Sequence, residues 1–136
     1  MSKKHLNSVA VAIALALISF PLWAHHGNAA FDSAKRVTVK GTVVGWLWAN
    51  PHCVLTFDVK DDSGKVVRWS AEAGVLSGNS RDGWSRNTFK PGDEVTVTLS
   101  PAKNGQPVGR LAEVVLPNGQ ILKSGIPPDS PTEKPY

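Results

Sequence analysis

Apolar and polar residues alternate along the central part of the chain, and a repeat of two is the period of a β-strand with one buried face. The most regular run is Cys53 to Lys60. Its core-facing positions are predicted to be Cys53, Leu55, Phe57 and Val59. The same criterion predicts five further strands: Val37 to Trp48, Val66 to Ala71, Glu94 to Ser100, Val108 to Leu116 and the short Gln120 to Leu122.

Residues that favour turns separate these strands. The turn segments are Asp61 to Gly64, Pro91 to Asp93, Asn104 to Gly105 and Pro117 to Gly119. The first strand contains Gly41 and Gly45, and glycine inside a strand often marks a bulge or a sharp bend. Simple alternation along this strand places Val37, Val39, Val43 and Leu47 on one core-facing stripe.

The segment from Glu72 to Phe89 loses the alternation and is rich in Gly, Ser and Asn, which predicts a short helix or an irregular connector. Three strands, a connector and then two or three strands is the order of an OB-like barrel. We therefore predict an all-β domain over residues 37–122, a small OB-like barrel of five to six strands with the connector between strands 3 and 4. A small sandwich built from the same strands is the alternative.

The two ends of the chain differ from this central domain. Met1 to Ala24 has the order of a secretory signal peptide: Lys3 and Lys4, an apolar run from Val9 to Phe20, and small Ala24 before the expected cut. The run is shorter than the roughly 20 residues of a membrane span. We expect export to a bacterial periplasm, an N-terminal arm over residues 25–36, no membrane span after processing, and a Pro-rich disordered tail over residues 123–136.

Net charge limits the classes of binding partner to be expected, and the cysteine content limits the possible disulfides. Loss of Lys3 and Lys4 with the signal peptide lowers the formal net charge of +4 by two, and no run of basic residues remains. Nucleic acid and anionic lipid are therefore not expected partners. Cys53 is the single cysteine, so no internal disulfide can form, and its place on the core-facing stripe predicts a buried thiol.

The strongest candidate chemistry lies at the predicted cleavage site. Cleavage after Ala24 leaves His25 as the first residue, with His26 directly behind it. A free α-amine and two imidazoles form a nitrogen donor set suited to copper. His52 follows Pro51 and would complete a three-histidine site if the arm folds back over the barrel. The alternatives are a polar leader without a ligand and a His52 that bonds only to a neighbouring loop.

A second candidate site is aromatic. Trp46 and Trp48 share a face of the first strand and, with Asn50, could hold a sugar, another flat ligand or an envelope protein partner. The interpretation that we favour over such a platform is that at least one of the two rings covers the end of the barrel as part of the core. The sequence contains no nucleophile motif, no phosphate-binding glycine loop and no dinucleotide fingerprint. Binding is therefore expected rather than catalysis, with copper as the leading ligand.

Several short motifs resemble a family of small exported bacterial proteins known only as a domain of unknown function. The matching segments are His25-His26-Gly27, Phe31-Asp32, Lys40 to Val43, Trp48 to His52, Gly83-Trp84 and Lys90 to Asp93. The resemblance implies a periplasmic, OB-like single domain without an established activity. It also marks His25, His26, Asn50, Pro51 and His52 as pattern positions, and Cys53 as a departure from the aliphatic residue that would suit that strand position.

Overall fold

Six strands and one short helix make up the part of the chain that the computed structural model describes, residues 30–124. The strands are β1 (Val37–Leu47), β2 (Val54–Lys60), β3 (Val66–Glu72), β4 (Glu94–Pro101), β5 (Val108–Val115) and β6 (Ile121–Lys123). The helix α1 (Leu76–Arg81) lies in the connector between β3 and β4. Within residues 30–124, no helix is long and apolar enough to cross a membrane.

The first five strands close into a barrel. Antiparallel pairs join β3 to β2, β2 to β1, β1 to β4 and β4 to β5, and a parallel pair of β3 with β5 completes the ring. The short β6 adds to the free side of β5. This closure confirms the OB-like barrel with its connector between strands 3 and 4, and it excludes the sandwich.

The core lies inside this ring and is built from alternating positions. Cys53, Leu55 and Phe57 are fully buried before and within β2, as the period of two predicts. The facing strands contribute Ala71, Val95, Val97, Leu99, Leu111 and Val114. Such close packing leaves no room for side chains of other sizes without a cost in stability.

A β-bulge in β1 overturns part of the predicted stripe. Val43 pairs with Phe57 of β2, but the next pair is Gly45 with Thr56, so Val44 is an extra residue. The extra residue reverses which positions face inward beyond it. Leu47, predicted to face the core, is 56% exposed, whereas Trp46 and Trp48 pack against the core cluster.

The described end of the N-terminal arm is tied to the barrel. Phe31 is buried and forms an isolated bridge with Ala102, just after β4. The amide of Asp32 donates to the carbonyl of Pro101 at 2.9 Å, and the amide of Lys103 donates to the carbonyl of Ala30 at 3.0 Å. Residues 30–32 of the predicted arm therefore lie along the start of the β4–β5 loop.

Other predicted boundaries fall close to those of the structure. Lys123 belongs to β6, one residue beyond the predicted end of the barrel domain. The predicted signal peptide, the first five residues of the predicted arm (25–29), and the tail from residue 125 lie outside the described residues.

Candidate functional site

A cavity of about 720 Å³ lies on the outer side of β2, β3 and β5. The β1–β2 loop borders it on one side and the β4–β5 loop on another, and the N-terminal arm contributes to its wall. The lining residues are Ala30, Phe31, Pro51, His52, Val54, Ser70, Glu72, Ala102, Asn104, Gln106, Val108 and Gly109. The face of strands 2 and 3 between these two loops is the region with which OB-folds bind ligands.

Strand alternation places the side chains of β2 and β3 in this cavity. Because Leu55 and Ala71 point into the barrel core, their neighbours Val54 and Glu72 point outward. Val54 and Glu72 are also direct partners in the β2–β3 ladder. The register of β2 and β3 therefore determines which side chains form the floor of the cavity.

His52 and Glu72 meet at this floor. The Nε2 atom of His52 lies 3.3 Å from the Oε1 atom of Glu72, and the two side chains are 42% and 26% exposed. The contact is an ion-pair distance: within residues 30–124, neither ring nitrogen of His52 forms a hydrogen bond, and Nδ1 has no charged partner. The pair therefore leaves one imidazole nitrogen open to a ligand.

The neighbouring backbone holds His52 in place. The amide of Cys53 donates to the carbonyl of Gly74 at 3.3 Å, and the carbonyl of Cys53 accepts the amide of Ala73 at 2.8 Å. His52 thus comes directly before a fixed part of the β2–β3 ladder.

The predicted metal ligands are only partly brought together in the described structure. His25 and His26 lie outside the described residues, and His52 lines the cavity that Ala30 also lines. Among residues 30–124, no group of three or more His, Cys, Asp and Glu side chains could hold a metal ion. A metal at His52 would need further ligands from beyond this range. Cys53 is fully buried in the core, as predicted.

The predicted tryptophan platform lies elsewhere, against the connector. The ring centre of Trp46 is 5.7 Å from that of Trp48, 5.8 Å from Trp84 and 5.0 Å from Phe89. The indole N–H of Trp46 donates to the carbonyl of Ser85 at 2.9 Å. Both rings pack against the core cluster because the bulge turns them inward, which confirms the interpretation that at least one of them covers the barrel as part of the core. Asn50 is exposed and belongs to the loop that carries His52.

Sequence reasoning missed Glu72 and the polar side chains of the β4–β5 loop, Asn104 and Gln106. A signal for Glu72 was present in the strand pattern. Once the turn at Asp61 to Gly64 fixes the hairpin, Val54 pairs with Glu72, and His52 precedes Val54 by two residues on the same face. No comparable signal marks Asn104 and Gln106, because loop side chains have no period.

Comparison with known proteins gives a family and nothing closer. No curated protein and no solved structure matches the chain. A family of unknown function, DUF6152, has a model that matches residues 12–111 of the 136, including the barrel through the first half of β5. The match confirms the resemblance to a domain of unknown function, and this chain belongs to the DUF6152 family.

Proposed function

We propose that this protein is an exported, periplasmic binding protein that holds a copper ion. The ligands are the α-amine and ring of His25, the ring of His26 and the ring of His52. The proposal joins the order of the first 24 residues, which is typical of a cleaved signal peptide, to the position of His52 in the cavity.

The observation that carries the proposal is that Ala30 and His52 line the same cavity. Cleavage after Ala24 leaves His26 four residues before Ala30. Four extended residues span at most about 14 Å, which sets how far from Ala30 the backbone of His26 can lie. The hydrogen bond of Asp32 to Pro101 at the end of β4 and that of Ala30 to Lys103 in the β4–β5 loop fix the point from which this segment starts.

The choice of copper rests on the proposed donor atoms, most of which lie before the described residues. His52 alone cannot hold a metal, and no further ligand cluster stands beside it within residues 30–124. An amine and two further imidazoles would complete a nitrogen-rich set, which suits copper better than the oxygen-preferring ions Mg²⁺ and Ca²⁺.

The test is a copper titration of mature protein that begins at His25. We expect one-to-one binding, a loss of affinity of at least about tenfold when one alanine is added before His25, and a similar loss in His52→Ala. The added residue removes the amine from its chelate ring, and the substitution removes one imidazole. Affinity should also fall below about pH 6, because protonated imidazole cannot bind a metal.

The matched control is Gln106→Ala, which changes a polar side chain of the cavity that is not a proposed ligand. Affinity close to that of the wild type is expected. Binding that ignores both the added alanine and the loss of His52 would contradict the copper proposal.

The second candidate function is a binding module without a metal. The cavity is a better candidate for its binding surface than Trp46 and Trp48 are. A volume of about 720 Å³ lies in the range of small-molecule sites, and the surrounding loops are those of an OB-fold binding face. The ring of Trp46 instead packs against Trp84 of the connector, and its N–H donates to the carbonyl of Ser85 in the same connector. Binding of an envelope glycan or peptide that persists in chelator, and that the bulky Ser70→Trp abolishes, would support this second function.

A further inference from the structure

We propose that the cavity binds a small organic amine. Its protonated amino group contacts the carboxylate of Glu72, and its apolar body lies on the floor of the cavity. This inference rests on the second candidate function, the binding module without a metal, and names the charge and the chemical class of its ligand. Every residue that carries it lies within residues 30–124.

The floor of the cavity alternates polar and apolar side chains. Ser70 and Glu72 stand two residues apart on the outward face of β3, on either side of the buried Ala71. Glu72 is paired with Val54 of β2, and Ser70 is paired with Val108 of β5. Because two residues of a strand rise about 7 Å, one small ligand can contact the carboxylate, the hydroxyl and the valines together.

The fixed charge of the lining is negative. Seven of the twelve lining residues are apolar or glycine, and among these described residues Glu72 is the one carboxylate and none is lysine or arginine. Within residues 30–124, the ion-pair contact of Glu72 is with His52, at 3.3 Å. A neutral imidazole leaves this carboxylate without a compensating charge, and a cationic ligand would supply one.

Arg110 of β5 does not take this place by direct contact. It pairs with Glu72 in the β3–β5 ladder, but the central carbon of its guanidinium lies over the ring of Phe31, 5.4 Å from the ring centre. Such a cation–π contact holds the guanidinium against an aromatic face. Arg110 therefore borders the cavity through Phe31, and the carboxylate of Glu72 stays accessible to a ligand.

Burial and volume select the kind of cation. The side chain of Glu72 is 26% exposed, so water screens its charge less than at an open surface. The described residues contain no group of three or more His, Cys, Asp and Glu side chains that could hold a metal ion. The cavity volume of about 720 Å³ is in the range of organic ligands. A cation with an apolar body of its own fits this lining, whereas an anion would meet like charge.

The test compares three fluorescent probes with the same dansyl ring and a similar linker, titrated into mature protein in excess EDTA. Dansylcadaverine ends in a primary amine, its N-acetyl derivative is neutral, and dansyl aminohexanoate ends in a carboxylate. At about pH 8.5 an ordinary imidazole is neutral and an ordinary alkylamine is protonated. We expect the amine to bind at least about tenfold more tightly than the N-acetyl probe, and the carboxylate to bind most weakly.

Glu72→Gln removes the charge and keeps the shape of the side chain. It should lower the affinity for dansylcadaverine to that of the N-acetyl probe, whose own affinity should not change. The matched control is Asp58→Asn, which removes a carboxylate that pairs with Arg68 and does not line the cavity, and it should alter none of the affinities. Ser70→Trp fills the cavity and should weaken all three probes. Thermal unfolding of each variant shows whether the fold is kept.

Equal affinities for the amine and N-acetyl probes, or an amine preference that survives Glu72→Gln, would overturn the inference and leave the cavity as a binding site for neutral ligands. Unchanged binding in Ser70→Trp would place the probes outside the cavity and would also contradict the inference. If no probe binds, the inference and the second candidate function both fail. The copper proposal is decided separately, because EDTA removes metal from these titrations.

Discussion

The ion pair of Asp58 and Arg68 shows how a single carboxylate is tuned on the outer face of the β2–β3 hairpin. The guanidinium donates through Nε at 2.8 Å and through Nη2 at 3.0 Å to the two carboxylate oxygens. These hydrogen bonds, and after them the positive charge of Arg68, lower the pKa of Asp58 below its usual value, and the pKa of Arg68 is raised in turn.

This shift predicts a pH dependence of stability. A lowered pKa in the folded state stabilises the fold at pH values above the ordinary aspartate pKa, and the stabilisation is lost as pH falls through the folded value. In Arg68→Met, the pKa of Asp58 should rise towards its ordinary range, as measured by NMR titration. The difference in unfolding free energy between variant and wild type should be largest near neutral pH and vanish in acid. A difference that persists in acid would contradict this account.

At the scale of elements, two glycines of β1 differ in what surrounds them. A Cβ on Gly41 would lie 2.7 Å from the carbonyl oxygen of Asp58 and 2.8 Å from a ring carbon of Phe57. A Cβ on Gly45, two residues past Val43 at the bulge, would meet nothing within 4 Å. The first glycine is needed for close approach of β2, and the second is not.

Gly41→Ala should therefore destabilise the protein by about 1–3 kcal/mol, because β2 must shift to admit the methyl group. Gly45→Ala, in the same strand, is the control and should change stability by less than about 1 kcal/mol. Denaturant unfolding of both variants measures the difference. Equal losses would show that strand propensity, rather than the close contact, governs this strand.

The strands themselves could be predicted from the sequence, but the bulge and the cavity could not. A period of two identifies β2 because its inward positions, Leu55 and Phe57, are apolar and its outward ones, apart from Val54, are polar. The same period fails in β1 because Val44 adds one residue, and only the pairing with β2 reveals this. His52 could be named from its residue type, whereas its neighbour Glu72 required the register of two strands.

At the scale of the whole molecule, Cys53 is an internal reporter of unfolding. It is the single cysteine of the chain, and its side chain is fully buried in the core between the two outward-facing positions His52 and Val54. A thiol reacts as the exposed thiolate, so modification requires the barrel to open.

We therefore expect labelling of Cys53 by a thiol reagent to be slow in native buffer. The labelling rate should rise with denaturant in parallel with the loss of tryptophan fluorescence, because Trp46, Trp48 and Trp84 pack in or against the same core as Cys53. Copper should slow the labelling if it binds the folded state alone. Rapid modification under native conditions, with the fluorescence unchanged, would contradict a fully enclosed thiol.

The closure of the barrel has a consequence for its local motions. Only three residue pairs join β3 to β5, Ser70 to Glu72 with Val108 to Arg110, whereas seven join β2 to β3. Four residues of this seam, Ser70, Glu72, Val108 and Gly109, also line the cavity. Transient separation of β3 from β5 along this seam therefore also opens the cavity. Amide hydrogen exchange along the seam should report directly on whether the cavity is occupied, since a ligand that bridges it stabilises the closed ring.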